Sequence, residues 1–178
     1  MRTGIVVVAA MLMEVVGPAP AQSQGSADAA LETYQLTMPN VRKMASAYER
    51  MDAALKANPA LAAKLAKQEG ASSVQEVVNR FDAEPVLRQA IAGAGLSTRD
   101  LVLTQFATFT AGLNDFAVKS GAKPPTAPAA AANLRLYQQN LAEFEQLGAR
   151  LKQLESWQRF QADDGDDRDR DDDRSDDD

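Results

Sequence analysis

Histidine and cysteine are both absent from this 178-residue sequence. Without histidine there is no His-based triad, no His-ligated zinc or haem, and no side chain that ordinarily titrates near neutral pH. Without cysteine there is no disulfide, no thiol nucleophile and no Cys-ligated iron–sulfur cluster. No Asn-x-Ser/Thr acceptor occurs, and no stretch after the first twenty residues is apolar for the 18 or so residues that a membrane span needs. Gly93-Ala94-Gly95 has the wrong length and context for a phosphate-cradling loop. No segment beyond the N-terminus alternates polar and apolar residues long enough to argue for a sheet. Tryptophan occurs once, at Trp157, so any aromatic cluster stands out against a sparse background.

The N-terminus reads as an export signal. Arg2 supplies a positive start, and Ile5 to Val16 is apolar apart from Glu14. Ala19-Pro20-Ala21 then presents small residues where a signal peptidase cuts, which predicts cleavage after Ala21 and a secreted or periplasmic protein. The apolar run is too short to span a bilayer, and no cysteine follows it to take a lipid anchor.

The net charge of −6 is unevenly placed. Residues 163–178 hold eleven aspartates and three arginines, a side-chain balance of −8. Arg2 and Glu14 cancel, so residues 22–162 carry +2. A near-neutral body without a basic block, followed by an acidic tail, argues against nucleic acid as a partner. The tail lacks any apolar residue and is expected to be disordered. Its aspartates invite weak, diffuse cation binding. They do not spell a calcium loop, which requires a D-x-[DN]-x-[DN]-G pattern and a Glu at its twelfth position.

Between signal and tail the pattern is helical. Thr37-Met38-Pro39 supplies a cap and a first-turn proline. Val41, Met44, Tyr48, Met51 and Leu55 follow at 3-4-3-4 spacing, one face of a helix. Asn58-Pro59 interrupts it, and residues 60–67 make two further turns with Leu61 and Leu65 inward. Ser73-Val74-Gln75-Glu76 and Ser97-Thr98-Arg99-Asp100 read as capping boxes. Val74, Val77, Val78 and Phe81 are expected to face inward after the first. Val86, Leu87, Ala90 and Ile91 do so on a short helix restarted at Glu84-Pro85, which Gly93 and Gly95 terminate. The second box launches a long helix whose core side is read as Val102, Phe106, Phe109, Leu113 and Phe116. Leu101 and Leu103 lie on its other faces and imply neighbours on several sides. Residues 119–128 form a loop, with three prolines and a glycine. Residues 129–160 read as one long helix, its stripe formed by Leu134, Tyr137, Leu141, Phe144, Leu151 and Leu154, with Leu147 beside the seam and Gly148 a point of weakness.

Catalytic arrangements are scarce. Ser120 and Lys123 match a Ser-x-x-Lys spacing, but they sit among glycine and prolines instead of at a rigid helix start, and the companion motifs are missing. The carboxylate pairs Glu49/Asp52 and Asp28/Glu32 imply no cleft and read as solvated. Trp157 and Phe160, three apart just before the tail, either close one end of the bundle or form an exposed surface for a protein or peptide partner.

The sequence therefore predicts an all-α chain. Its parts are a signal (1–21), a partly helical lead-in (22–36), a compact bundle of about four to five helices (37–162) and a disordered Asp-rich tail (163–178). The expected role is non-catalytic: a binding or scaffold module, or alternatively a small periplasmic holdase-like chaperone, with no cofactor and no membrane span after signal removal; the remaining alternative is an enzyme built on carboxylates alone.

Overall fold

Thr37 opens the first long helix as the sequence requires: its side chain accepts a hydrogen bond from the Asn40 amide, and a proline sits in the first turn. This helix, α1 (Met38–Ala57), is followed by α2 (Pro59–Ala66), α3 (Val74–Asp82), α4 (Pro85–Gly93), α5 (Thr98–Lys119), α6 (Pro128–Gln139) and α7 (Leu141–Leu151). The computed structural model describes residues 30–68, 71 and 73–154. The signal, Trp157, Phe160 and the acidic tail lie outside the described residues. A helical turn at residues 30–33 precedes α1. The bundle thus has eight helical segments among the described residues, more than the four to five expected from periodicity, and no strand.

The larger number arises from chain breaks. Asn58 ends α1 and its side chain accepts from the Leu61 amide, so it caps α2 at the predicted proline. Ser73 and Ser97 cap α3 and α5 by accepting from the Glu76 and Asp100 amides. Gly95, at φ +79°, makes the left-handed turn between α4 and α5. The expected single helix over residues 129–160 is not formed. It breaks at Asn140, whose backbone leaves helical geometry at φ −119° and ψ 23°. The Leu136 carbonyl accepts from the Asn140 side-chain amide at 2.8 Å as well as from the Asn140 backbone amide at 3.2 Å. Gly148, the suspected weak point, stays inside α7.

The main core gathers Val41, Met44, Tyr48, Met51 and Leu55 of α1 with Leu61, Leu65, Leu87, Ile91, Leu101, Tyr137, Phe144, Leu147 and Leu151. The α1 stripe is buried as read from its spacing. So are Leu134 of α6 and the later stripe positions Tyr137, Phe144 and Leu151. Leu141 and Leu154 are only partly buried against it. On α4 the inward pair is Leu87 and Ile91, four apart. Val86, one position off that line, is 40% exposed, contrary to expectation.

Helix α5 runs through the middle, packed by α1, α3, α4 and α6. Its buried side is not the phenylalanine stripe. Thr104, Ala107, Ala111 and Asp115 line the inner face, with Leu101, Val102 and Leu103 buried near the start. Small residues let α1 and α6 approach closely, a gain that a phenylalanine there would forfeit. The two polar members are satisfied: the Thr104 and Tyr34 hydroxyls lie 2.7 Å apart, and Asp115 accepts from Gln138 at 3.0 Å. Phe106, Phe109, Leu113 and Phe116 are carried round to the outer face by the 100° step between residues. A second core cluster, Val74 and Val78 of α3 with Val102 and Leu103, covers only the first half of that face, and Phe106 packs partly against it.

Besides the Tyr34–Thr104 contact, the lead-in is held to α6 by one residue. Asn133 of α6 accepts from the Leu36 amide at 2.8 Å and donates to the Tyr34 carbonyl at 2.9 Å. It satisfies both partners of an extended segment that has no strand beside it. Helices α1 and α7 run in the same direction, joined by two ion pairs seven residues apart: Arg42–Glu143 at 2.6 Å and Glu49–Arg150 at 2.5 Å.

Candidate functional site

The outer face of α5 beyond α3 is the one place where large apolar side chains stand together in the open among the described residues. Phe116 is 66% exposed and Leu113 44% exposed, while Phe109 is half-buried between them and the cluster under α3. With Phe106 they fall at steps of 3, 4 and 3 residues, which keeps them in one line along the helix. At 1.5 Å per residue the line is about 15 Å long. Two-thirds of a phenylalanine is roughly 130 Å², and with its neighbours the patch is on the order of 300 Å².

Three cations lie at the two ends of this face. Arg99 at its start, Lys119 at its end and Lys123 in the following loop are all exposed. The two carboxylates of α5 are engaged elsewhere. Asp100 accepts from the Ser97 hydroxyl at the cap at 2.6 Å, and Asp115 is buried on the inner face with Lys119 at 2.6 Å. Burial alone would raise the Asp115 pKa. Hydrogen bonds from Lys119 and Gln138, with the Lys119 charge, outweigh it and hold the group below its usual 3.8.

Other candidates are weaker. A surface groove of about 520 Å³ between α1 and α7 is lined by Arg42, Ala142, Glu143, Gln146, Leu147 and Arg150. Both arginines are occupied by the ion pairs that join the helices, and the Arg42 hydrogen bond holds the Glu143 carboxyl below its usual range. Ser120 ends α5 and, like Lys123, lies on the exposed loop, where nothing activates it as a nucleophile. Glu49 and Asp52 do not form a facing pair. Glu49 pairs with Arg150, and Asp52, expected to be solvated, is 4% exposed with Lys56 at 3.0 Å from its carboxylate. Glu32 is exposed and Asp28 lies outside the described residues. Tyr48 is fully buried, which pushes its phenol above the usual range, and its hydroxyl donates to Gln105.

Among the described residues no group of three or more acidic, histidine or cysteine side chains is placed to hold a metal, and no helix is long and apolar enough to cross a membrane. Comparison with family models, with curated proteins and with solved structures returned no match to this chain.

The sequence named every residue of the α5 patch but assigned it to the core. The signal that could have separated the two was present. Thr104, Ala107, Ala111 and Asp115 are themselves a 3-4-4 stripe, the only one on α5 small enough for close helix packing.

Proposed function

We propose that this chain is an exported, non-catalytic helical protein that acts as a binding or scaffold module, with the outer face of α5 as its contact surface. The observation that carries this reading is the line Phe109, Leu113 and Phe116. A phenylalanine two-thirds in water adds little to the fold, whereas aromatics are enriched among the desolvated anchors of protein interfaces. The size of the patch favours a short apolar segment over an unfolded client, so a binding role is preferred to a holdase role. The signal-like order of Arg2, the apolar run from Ile5 to Val16 and Ala19-Pro20-Ala21 supports the exported part of this reading, secreted or periplasmic.

The test is paired capture. The chain processed after Ala21 and its Phe116→Asp variant are used as baits on the exported fraction, and any protein retained by the first is purified and titrated against both. Retention and affinity should fall together in the variant. Equal binding to both baits would remove α5 from the reading, and a deep loss of helical signal in the variant would show that Phe116 belongs to the core after all.

A further inference from the structure

The chain carries a second apolar feature of matching size, and we propose that the two meet: the Trp157–Phe160 segment of one copy docks on the α5 outer face of another, head to tail. This rests on the reading of α5 as a binding surface and names its partner. Trp157 and Phe160 are three apart, as are Leu113 and Phe116, so the two pairs share one spacing along the chain. The aspartates begin three residues after Phe160 and bring a balance of −8. The face they would follow has exposed Arg99 before it and exposed Lys123 after it, while Lys119 is paired with Asp115 and the carboxylates of α5 are turned to its cap and to its inner side. Aromatic meets aromatic and acid meets base in such a contact.

Reach decides that the partner is a second copy and not the same molecule. Helices α1, α5, α6 and α7 form a ring by their contacts, α1 with α5, α5 with α6, α6 with α7 and α7 with α1, so α5 and α7 occupy opposite corners. Neighbouring axes lie about 8–10 Å apart, and the α5 patch points out of the ring. A path from α7 round a neighbouring helix to that patch exceeds roughly 20 Å. Trp157 is three residues beyond Leu154, within about 10 Å of it even when fully extended. A patch on the order of 300 Å² is well below the roughly 800 Å² per partner of a stable interface. The association is therefore weak and concentration-dependent. Because the two surfaces differ, one contact leaves a segment free on one copy and a face free on the other, so the contact either closes by reciprocal exchange or continues into rings or open chains.

Trp157 is the sole tryptophan, so its fluorescence reports directly on its own docking. The chain processed after Ala21 is followed from about 1 µM to about 1 mM by sedimentation and by acrylamide quenching of Trp157. Mass should rise with concentration while quenching falls and emission shifts to the blue. Phe116→Asp, Leu113→Asp and Trp157→Ala should each move the sedimentation midpoint at least about tenfold upward. Val86→Asp, the same change at an exposed apolar residue of α4, should leave it in place. Raising the salt should weaken association several-fold as the tail is screened. A monomer with unchanged Trp157 quenching over the whole range overturns the proposal, and so does association that the α5 variants do not move. If the chain stays monomeric while a captured partner is still lost with Phe116→Asp, only the identity of the partner fails and the α5 reading stands.

Discussion

Truncating Leu101 and truncating Phe116 should have opposite ranks from those that side-chain size suggests. Leu101 is fully buried in the main core and Phe116 is 66% exposed, one on the covered half of α5 and the other on its open half. Leu→Ala in a close-packed site removes the transfer energy of the lost carbons and leaves a cavity, and full burial puts Leu101→Ala at about 3–4 kcal/mol. Phe116 keeps only a third of its surface covered, about 70 Å², which at 25 cal/mol per Å² is at most about 1.7 kcal/mol. A compact unfolded state lowers that to about 1 kcal/mol. With a urea slope near 2 kcal/mol/M, the midpoints should fall by about 1.5–2 M for Leu101→Ala and by about 0.5 M for Phe116→Ala. Phe109→Ala, half-buried, should fall between them. The melts are read by circular dichroism at about 1 µM, where a weak self-contact is dissociated. Equal midpoint losses for Leu101→Ala and Phe116→Ala, with unchanged slopes, would refute the assignment of the inner face and restore the phenylalanines to the core.

Three further outcomes test the supporting structure. Asn133→Ala should cost about 2–3 kcal/mol, because it leaves the buried Leu36 amide without its acceptor, and hydrogen exchange at that amide should accelerate before the helices melt. Asp115 is held below its usual pKa, so the stability it contributes is complete above about pH 4 and is lost as the pH falls through its lowered folded value. The melting temperature of Asp115→Asn should accordingly drop less than that of the wild type between about pH 4 and pH 2. Arg42→Ala and Arg150→Ala should each leave stability close to the wild type, since both pairs are largely exposed, and a double-mutant cycle across Arg42 and Glu143 should give a small coupling that high salt reduces.

Local signals in the sequence were read correctly where the chemistry is local. Thr37, Ser73 and Ser97 cap the helices they were expected to cap, because a side-chain acceptor three residues before a free amide needs no tertiary partner. Asn58-Pro59 and Glu84-Pro85 break the chain for the equally local reason that proline disfavours helix just before itself. The α1 stripe was legible because that helix has only one apolar face. Two things were not legible. Asn140 leaves helical geometry inside a strong helical pattern without a proline or glycine to mark the break. Helix α5 has apolar residues all round, so periodicity could not say which side faces α1 and α6. Close approach of the backbones decided it in favour of alanine and threonine, and the phenylalanines that look most like core became the surface.

The two ion pairs between α1 and α7 have opposite polarity: the first helix gives the cation at Arg42 and the anion at Glu49. Parallel helices with heptad-spaced seams can slide by seven residues and still match apolar rows. Here a slide in one direction sets Arg42 against Arg150, and a slide in the other sets Glu49 against Glu143. Either error puts like charges face to face, so only one alignment is electrostatically tolerated, although each bridge by itself adds little stability. The partners are also some hundred residues apart in the chain. The α1 surface beneath α7 therefore stays open until nearly the whole domain exists, and the final helix to emerge completes the first. Such long-range closure slows folding. Under the export reading proposed above, that delay would suit a chain that crosses a membrane before it folds.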